Sequence, residues 1–327
     1  MTLNERLKQE VKIMRISGVS YAQRKTHRTR KIIMAVIILI LLASIALMGL
    51  SAYTGWTLTH PKRKPLPVFS SNIVPEYTNI SFKDIKDELT LKGWFFEVKG
   101  SNKTIILAHG YRQNRLPYGE DTFVLIKALL NQGYNVLTFD FRNSGESEGK
   151  VTTVGLYEKN DLLGAIKHAK KLGSKQIVLM GFSMGASTSI VVGSESEDVD
   201  AVIADSPFSD MEEYLDDNLS VWSDLPSFPF NQTTFFSMKI LEGINPKEFS
   251  PRAIINDISP RPVLLIHSKN DTLIPIKNSH QLLNAGGSNV KLWETEGVDH
   301  VESFTKLTDE YLKKISEFLD GLKNSID

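Results

Sequence analysis

Residues 176–185 read QIVLMGFSMG and have the most informative local pattern in the chain. Four apolar residues follow Gln176, which predicts a short buried strand. A Gly-x-Ser-x-Gly sequence centred on Ser183 comes next, and the residues after it, ASTSIVV, favour a helix. A serine on a tight strand-to-helix turn, with glycine on both sides so that the chain can close, is typical of a catalytic nucleophile. Such a turn presents the hydroxyl at the carboxyl end of the sheet, where ligands bind.

A serine hydroxyl is a weak nucleophile without a general base, and seven histidines compete for this role. When a Gly-x-Ser-x-Gly turn carries the nucleophile, the acid and then the histidine follow it along the chain. His300, in the loop after the last predicted strand, has that position and is predicted to be the base. Asp271, just after the predicted strand PVLLIH, is predicted to orient its imidazole. Asp205, at the end of the predicted strand AVIA, is the rival acid.

A second loop is predicted to complete an oxyanion hole. His109, Gly110 and Tyr111 follow the apolar run TIILA, and the loop after this strand is where the second oxyanion donor is expected. We therefore predict that the backbone N–H groups of Tyr111 and Met184 bind the oxyanion of a tetrahedral intermediate. The side chain of His109 is predicted to be structural rather than catalytic.

Short apolar runs alternate with segments of helical periodicity from residue 77 onward. An opening antiparallel pair is predicted over 80–82 and 89–98, and the later strands are predicted to be parallel because helices separate them. The sequence thus predicts an α/β domain over 77–327, with a mostly parallel central sheet flanked by helices. The later strands are predicted at 104–108, 135–139, 176–180, 201–204, 262–267 and 290–296, and the main helices at 121–131, 156–172 and 301–322.

One stretch, residues 207–258, breaks this alternation. It is rich in aromatic residues and prolines and has no strand pattern. An insertion of this length between two strands is usually functional when it is ordered. Its aromatic rings either bind an apolar acyl or alcohol group or form the core of the insertion itself.

A 19-residue apolar run at 32–50 precedes the domain, and no charged residue occurs from 32 through 59. At about 1.5 Å per residue the run is about 28 Å long, close to the roughly 30 Å thickness of the hydrocarbon core of a bilayer. Tyr53 and Trp56 follow it, where interfacial aromatic residues are common. We predict a transmembrane signal anchor over 32–56. The alternative is a cleaved signal peptide, with Gly49 and Ser51 as small residues before the cut.

The charges around the apolar run predict its orientation. Residues 1–31 contain nine Lys or Arg and two Glu, whereas three basic residues at 62–64 argue weakly for the opposite orientation. The positive-inside rule places the basic tail, 1–31, in the cytoplasm. The predicted location is therefore the cell membrane, with a single span and an extracytoplasmic catalytic domain. Residues 57–76 carry four prolines and are predicted to be a spacer.

Composition excludes several classes of function. The chain has no cysteine, which rules out disulfides, thiolate catalysis and zinc–thiolate sites. The histidines show no metal-ligand spacing, so neither a metal nor a cofactor is expected. The formal net charge is zero, and nothing in the overall charge indicates a nucleic-acid partner. The predicted partners are the membrane, through the N-terminal helix, and a small-molecule ester or peptide substrate; the oligomeric state is left open.

Together these residues resemble the α/β-hydrolase superfamily, and within it the serine aminopeptidase-like and prolyl-oligopeptidase-like branch of bacterial membrane-anchored or exported serine hydrolases. The similarity spans about 77–324. It is carried by 109–111 (HGY), 140–147 (DFRNSGES), 181–185 (GFSMG), 205–208 (DSPF), the loop of Asp271 and His300.

The resemblance implies an α/β-hydrolase fold in which 207–258 caps the active site and Asp140 and Arg142 hold the loop after their strand. Asn143 departs from the pattern, because relatives often carry glycine there. Asparagine tolerates a positive φ, so the loop is expected to keep its shape.

The expected activity is that of a serine hydrolase that cleaves carboxylic esters through an acyl-enzyme, with Ser183, His300 and Asp271 as a triad. A peptidase or amidase, or an acyltransferase, with the same triad is the alternative within this chemistry. A non-catalytic, membrane-tethered binding module is the alternative from a different class.

Overall fold

The computed structural model describes residues 3–70 and 72–323 of the 327-residue chain. Residues 1–2 of the predicted tail, residue 71 of the predicted spacer and residues 324–327 of the predicted domain lie outside the described residues. The strands are β1 (Thr78–Lys83), β2 (Thr90–Phe96), β3 (Lys103–Ala108), β4 (Asn135–Phe139), β5 (Gln176–Phe182), β6 (Ala201–Asp205), β7 (Val263–Ser268) and β8 (Val290–Thr295). The helices are α1 (Leu3–Thr59), α2 (Thr122–Asn131), α3 (Glu158–Lys171), α4 (Met184–Glu195), α5 (Met211–Ser223), α6 (Ser227–Glu242), α7 (Pro251–Ile254), α8 (Lys277–Ala285), α9 (Ser303–Lys306) and α10 (Thr308–Lys323).

These strands form one sheet in the order β1-β2-β4-β3-β5-β6-β7-β8. β2 pairs antiparallel with β1 and with β4, and every other neighbouring pair is parallel. This arrangement confirms the predicted fold class and the opening antiparallel pair. Because β3 and β5 to β8 run in the same direction, the loops that follow them emerge at one edge of the sheet.

Apolar side chains on the central strands alternate between two cores, one on each face of the sheet. In β3, Ile106 and Ala108 belong to the core that includes α3 and α4, whereas Ile105 and Leu107 belong to the core that includes α2 and α10. A strand buried on both faces has no polar side, which explains the continuous apolar runs seen in the sequence.

Helix α1 is long and apolar enough over Arg28–Thr59 to cross a membrane, and a membrane anchor and a signal sequence both fit this description. Its apolar side chains between 32 and 42 are about half exposed or more. The division of the N-terminal region into tail, anchor and spacer stays a prediction. The helix continues to Thr59, three residues past the predicted end of the anchor.

The end of α1 packs against α6 of the insertion. The Ser51 and Thr233 hydroxyls lie 2.7 Å apart and share a hydrogen bond. Gly55 approaches α6 so closely that a Cβ atom there would lie 2.8 Å from Cγ of Met238. Beyond the helix, the Arg63 guanidinium donates hydrogen bonds of 2.6 and 2.7 Å to two carbonyl oxygens of the loop after β4. The segment at 60–70 is therefore attached to the domain.

Two segments have different boundaries from those predicted. The stretch at 207–258 contains α5, α6 and the short α7 between β6 and β7. The single C-terminal helix predicted over 301–322 is wrong, because the structure divides it into α9 and α10. Leu307 between them has φ −125° and ψ 42°, which lies outside the helical region.

A buried ion pair secures the loop after β4. Arg115 donates to Asp140 through its backbone N–H at 2.7 Å and through Nη2 at 2.5 Å, and both side chains are almost fully buried. The same Nη2 contacts the exposed carboxylate of Glu146 at 2.8 Å. Arg142 makes a separate buried pair with Asp161 at 2.6 Å. Asp140 and Arg142 thus hold this loop, in which Asn143 has a φ of 54°, as its residue type leads one to expect.

These contacts predict very different costs for removing the two carboxylates beside Arg115. Asp140→Ala removes the only one of the two carboxylate partners that is buried with the Arg115 guanidinium, and should lower the free energy of unfolding by about 3–5 kcal/mol. Glu146→Ala removes an exposed partner of the same guanidinium and should cost at most about 1 kcal/mol. Urea unfolding of the detergent-solubilised chain measures both values, and equal losses would contradict this account of the loop.

Candidate active site

The β5–α4 turn holds Ser183 in a strained conformation. Ser183 has φ 54° and ψ −118°, a backbone geometry that L-residues rarely adopt. Its N–H donates a 2.8 Å hydrogen bond to the carbonyl oxygen of Asp205 on the neighbouring strand. A Cβ atom at Gly185 would lie 2.0 Å from the carbonyl oxygen of Ala108. Glycine is therefore required at position 185, because the turn presses directly against the end of β3.

The structure brings three predicted residues into one hydrogen-bonded chain. The distance between Oγ of Ser183 and Nε2 of His300 is 2.9 Å, and that between Nδ1 of His300 and Oδ2 of Asp271 is 2.7 Å. With Nδ1–H donating to the carboxylate, Nε2 has a lone pair that accepts the serine proton. The arrangement suits proton transfer from the hydroxyl to the imidazole.

The carboxylate of Asp271 is fixed on all sides. Oδ1 accepts hydrogen bonds from the backbone N–H groups of Leu273 and Ile274 at 3.0 and 2.7 Å. Oδ2 also lies 3.2 Å from Nε2 of His267. Burial by itself would raise the pKa of Asp271, but the hydrogen bonds from His267 and His300 more than offset it and hold the pKa well below its usual range. The group is thus an anion that can stabilise an imidazolium.

Asp205, the rival acid, has other partners. Its carboxylate accepts hydrogen bonds from the hydroxyls of Tyr311 at 2.9 Å, Tyr118 at 3.2 Å and Ser206 at 2.9 Å. Burial raises the pKa of Asp205 although the Ser206 and Tyr311 hydroxyls oppose that shift. Nδ1 of His300 donates its hydrogen bond to Asp271 instead.

The two predicted oxyanion donors flank the serine. A Cβ atom at Gly110 would be 3.3 Å from Cβ of Ser183, so the loop that carries Tyr111 passes directly beside the hydroxyl. Met184 follows the serine and begins α4, where backbone N–H groups have no acceptor within the helix. The Gly110 backbone and the start of α4 thus both lie beside Ser183, and the start of α4 adds the positive end of its dipole. The roles of the Tyr111 and Met184 N–H groups stay predictions.

His109 joins two loops rather than facing the chemistry. It is fully buried, and Nδ1 donates to the carbonyl oxygen of Gly110 at 2.7 Å while Nε2 accepts the N–H of Phe141 at 3.0 Å. Burial lowers the pKa of His109, and the Asp140 charge, which acts in the opposite direction, does not offset this. The lowered pKa keeps the ring neutral. Its position agrees with the structural role expected from the sequence.

The loop of His300 depends on residues that the sequence reasoning missed. His267 donates from Nε2 to the carbonyl oxygen of Ile274 at 2.7 Å and so shapes the Asp271 loop. The carboxylate of Asp299 accepts the backbone N–H groups of His300 and Thr272 at 2.7 and 2.9 Å, which joins the two loops. In the sequence, the i,i+4 spacing of His267 and Asp271 could have indicated their contact. This spacing is informative only once the end of β7 is known.

A pocket of about 270 Å³ opens above the serine. Besides Ser183 and His300, its lining includes Tyr111, Tyr214 and Leu273. Among the described residues, no group of three or more His, Asp or Glu side chains is arranged to hold a metal ion. A hydroxyl at hydrogen-bonding distance from a histidine, as found in this pocket, can act as a nucleophile with the histidine as its base.

Comparison with known proteins gives the same family. A model of the alpha/beta hydrolase fold matches residues 103–235. The uncharacterised protein YqkD of Bacillus subtilis is 34% identical over 241 residues, which cover 72% of this chain and 77% of the relative. A lysophosphatidylserine lipase of Danio rerio, ABHD12, is 29% identical over 201 residues, which cover 59% of this chain and 50% of the relative.

Solved structures extend the likeness. An esterase from Pyrococcus furiosus superimposes with a TM-score of 0.66 at 30% identity, covering 80% of this chain and 97% of the esterase. An acylaminoacyl peptidase from Pyrococcus horikoshii shares the fold with a TM-score of 0.58 at 20% identity, covering 75% of this chain and 41% of the peptidase. The likeness to the esterase supports a hydrolase activity, and the likeness to the peptidase shows the fold alone. With its sheet order, its strained serine turn and these relatives, the chain belongs to the α/β-hydrolase superfamily.

Proposed function

We propose that the protein is a serine hydrolase that cleaves carboxylic esters through an acyl-enzyme. The observation that carries this proposal is the unbroken hydrogen-bonded chain from Oγ of Ser183 through the His300 ring to Asp271, at 2.9 and 2.7 Å. A histidine within this distance of a hydroxyl is in reach of its proton. The three side chains have the roles of nucleophile, base and orienting acid.

In the first half of the reaction, Oγ of Ser183 attacks the ester carbonyl carbon and its proton moves to Nε2 of His300. The N–H groups of Tyr111 and Met184 stabilise the negative charge on the carbonyl oxygen, and Asp271 stabilises the imidazolium. The carbon–oxygen ester bond then breaks, and the departing alcohol takes the proton from Nε2. In the second half, Nε2 of His300 removes a proton from water, whose oxygen attacks the acyl carbon. The bond from this carbon to Oγ then breaks, and Nε2 returns the proton to Oγ, which releases the carboxylic acid and restores the free serine.

Two relatives support an ester as the scissile group. The Pyrococcus furiosus protein named as an esterase is 30% identical and is matched over nearly its whole length. The Danio rerio relative, which is matched over half its length, is named as a lipase. Both names denote enzymes that cleave ester bonds.

We further propose that α1 is retained as a single membrane anchor, with the basic tail in the cytoplasm and the hydrolase domain outside. The nine basic residues before the apolar run support this orientation. Retention is supported by Ser51, which is fully buried and hydrogen-bonded to α6. A cut near Ser51 would remove a helix that packs against the domain.

Replacing the nucleophile tests the proposed chemistry. Ser183→Ala should lower kcat for p-nitrophenyl acetate by about 10⁴-fold or more, because the remaining groups have no hydroxyl to activate. It should also abolish labelling by a fluorophosphonate probe. Ser194→Ala, on the same helix α4, is the matched control and should keep both activities. Labelling that persists in Ser183→Ala would overturn the assignment of the nucleophile.

The orientation is testable because the chain has no cysteine. Single-cysteine variants Gln9→Cys, in the tail, and Lys86→Cys, at an exposed position of the domain, give two unique labelling sites. A membrane-impermeant maleimide should label Lys86→Cys in intact cells. It should label Gln9→Cys only after the cells are lysed. The reverse pattern would contradict the orientation, and loss of the Gln9→Cys label from the mature protein would contradict retention.

A further inference from the structure

A second cavity, larger than the serine pocket, lies between the end of α1 and the insertion. Its volume is about 560 Å³. Helix α1 contributes one wall through Leu50, Thr54 and Leu58, and the insertion contributes another through Leu219 and Trp222. Most of the lining is aliphatic or aromatic, which suits an apolar ligand.

Hydrogen bonds fix the end of α1, which forms one wall, to loops of the hydrolase domain. The Tyr111 hydroxyl donates a 2.6 Å hydrogen bond to the backbone oxygen of Leu58. The backbone oxygen of Thr59 accepts the N–H of Thr152 at 2.7 Å. Both oxygens lie in the last turn of the helix, where carbonyl groups have no partner within the helix. The hydrolase domain thus caps the end of α1. Tyr111, whose hydroxyl caps Leu58, also supplies a proposed oxyanion donor through its backbone N–H.

The two cavities adjoin. Tyr111, Tyr214 and Leu273 line both the pocket above Ser183 and the cavity beside α1. These three side chains therefore form the boundary that an acyl chain would have to pass between the serine and the larger cavity.

The larger cavity reaches the protein surface beside α1. Tyr53 and Trp222 line it and remain 63% and 43% exposed. Helix α6, which packs on α1, also exposes large apolar side chains on its outer surface. They are Phe228, Phe236, Ile240 and Leu241. Exposed apolar surface of this extent beside a candidate membrane span indicates contact with lipid.

From this arrangement we infer that the cavity between α1 and the insertion binds the long acyl chain of an ester drawn from the membrane. This inference rests on the proposed esterase function and names its substrate class. The acyl chain lies between α1 and α5, the ester carbonyl lies at Ser183, and the membrane helix forms part of the substrate site. Each additional methylene buried in the cavity should strengthen binding about fourfold.

Filling the cavity from the side of α1 tests the inference. The full chain in detergent is compared on p-nitrophenyl dodecanoate and p-nitrophenyl acetate. Thr54→Trp should lower the ratio of kcat/KM for the long ester to that for the short ester by about tenfold or more, since it displaces several methylenes. Leu225→Trp, from the opposite wall, should do the same and provides the test if Thr54→Trp does not fold. Ile45→Trp, on the exposed part of α1, is the matched control and should leave both rates unchanged.

An unchanged ratio in both cavity variants would overturn the inference. A second experiment tests whether the acyl chain comes from the membrane. p-Nitrophenyl dodecanoate in phosphatidylcholine vesicles should be hydrolysed faster when the protein is in the same vesicles than when it is in separate ones. Equal rates would overturn the membrane route.

A binding measurement separates failure of the cavity from failure of the esterase. Fluorescence of cis-parinaric acid should report its binding to Ser183→Ala, and Thr54→Trp in that background should weaken the binding by about tenfold. If the wild-type chain hydrolyses no ester but this binding pattern is found, the esterase proposal fails and the acyl-chain site stands. If short esters are hydrolysed but parinaric acid does not bind, the acyl-chain site fails alone.

Discussion

The close approach of the β5–α4 turn to β3 is the constraint on which the site depends. The backbone of Gly185 leaves no room for a side chain beside the carbonyl oxygen of Ala108. This contact holds Ser183 at a positive φ, where the sheet and α4 outweigh a local conformational cost of about 1–3 kcal/mol. As a result the hydroxyl points out of the sheet edge, and α4 begins directly behind it.

Parallel pairing of the strands brings the other groups to the same edge. Tyr111 follows β3, Asp271 follows β7 and His300 follows β8, so residues far apart in sequence meet above Ser183. Each loop is then fixed by backbone hydrogen bonds to a carboxylate, as with Asp271 and Asp299. The strands determine which loops meet, and the carboxylates determine how precisely the side chains align.

The sequence predicted the parts of this arrangement that have a local signature. The apolar runs of β3 to β8 and the Gly-x-Ser-x-Gly turn show the strand periodicity and turn chemistry directly, and the chain order of acid and histidine gave Asp271 and His300. What it missed depends on contacts between distant segments. The packing of Gly55 on Met238 and the bond from Tyr111 to Leu58 join residues far apart along the chain, and no periodicity marks them.

These distant contacts change the view of the N-terminal region. The sequence predicts an anchor followed by a spacer. In the structure, α1 ends against the insertion, and the hydrolase domain caps its last carbonyl groups. Helix α1 and the hydrolase domain therefore share one folded unit at the point where they meet. In the proposed arrangement, this shared unit links the membrane anchor to the substrate site.

The central claim is that Asp271, and not Asp205, orients the base for Ser183. Comparing kcat for a short ester between Asp271→Asn and Asp205→Asn, with each variant corrected for its folded fraction, tests it most directly. The account predicts a fall of about 10³–10⁴-fold for Asp271→Asn, because the His300 tautomer is lost, and a fall of less than about tenfold for Asp205→Asn, whose carboxylate bonds to other hydroxyls. Equal falls, or a larger one for Asp205→Asn, would contradict it.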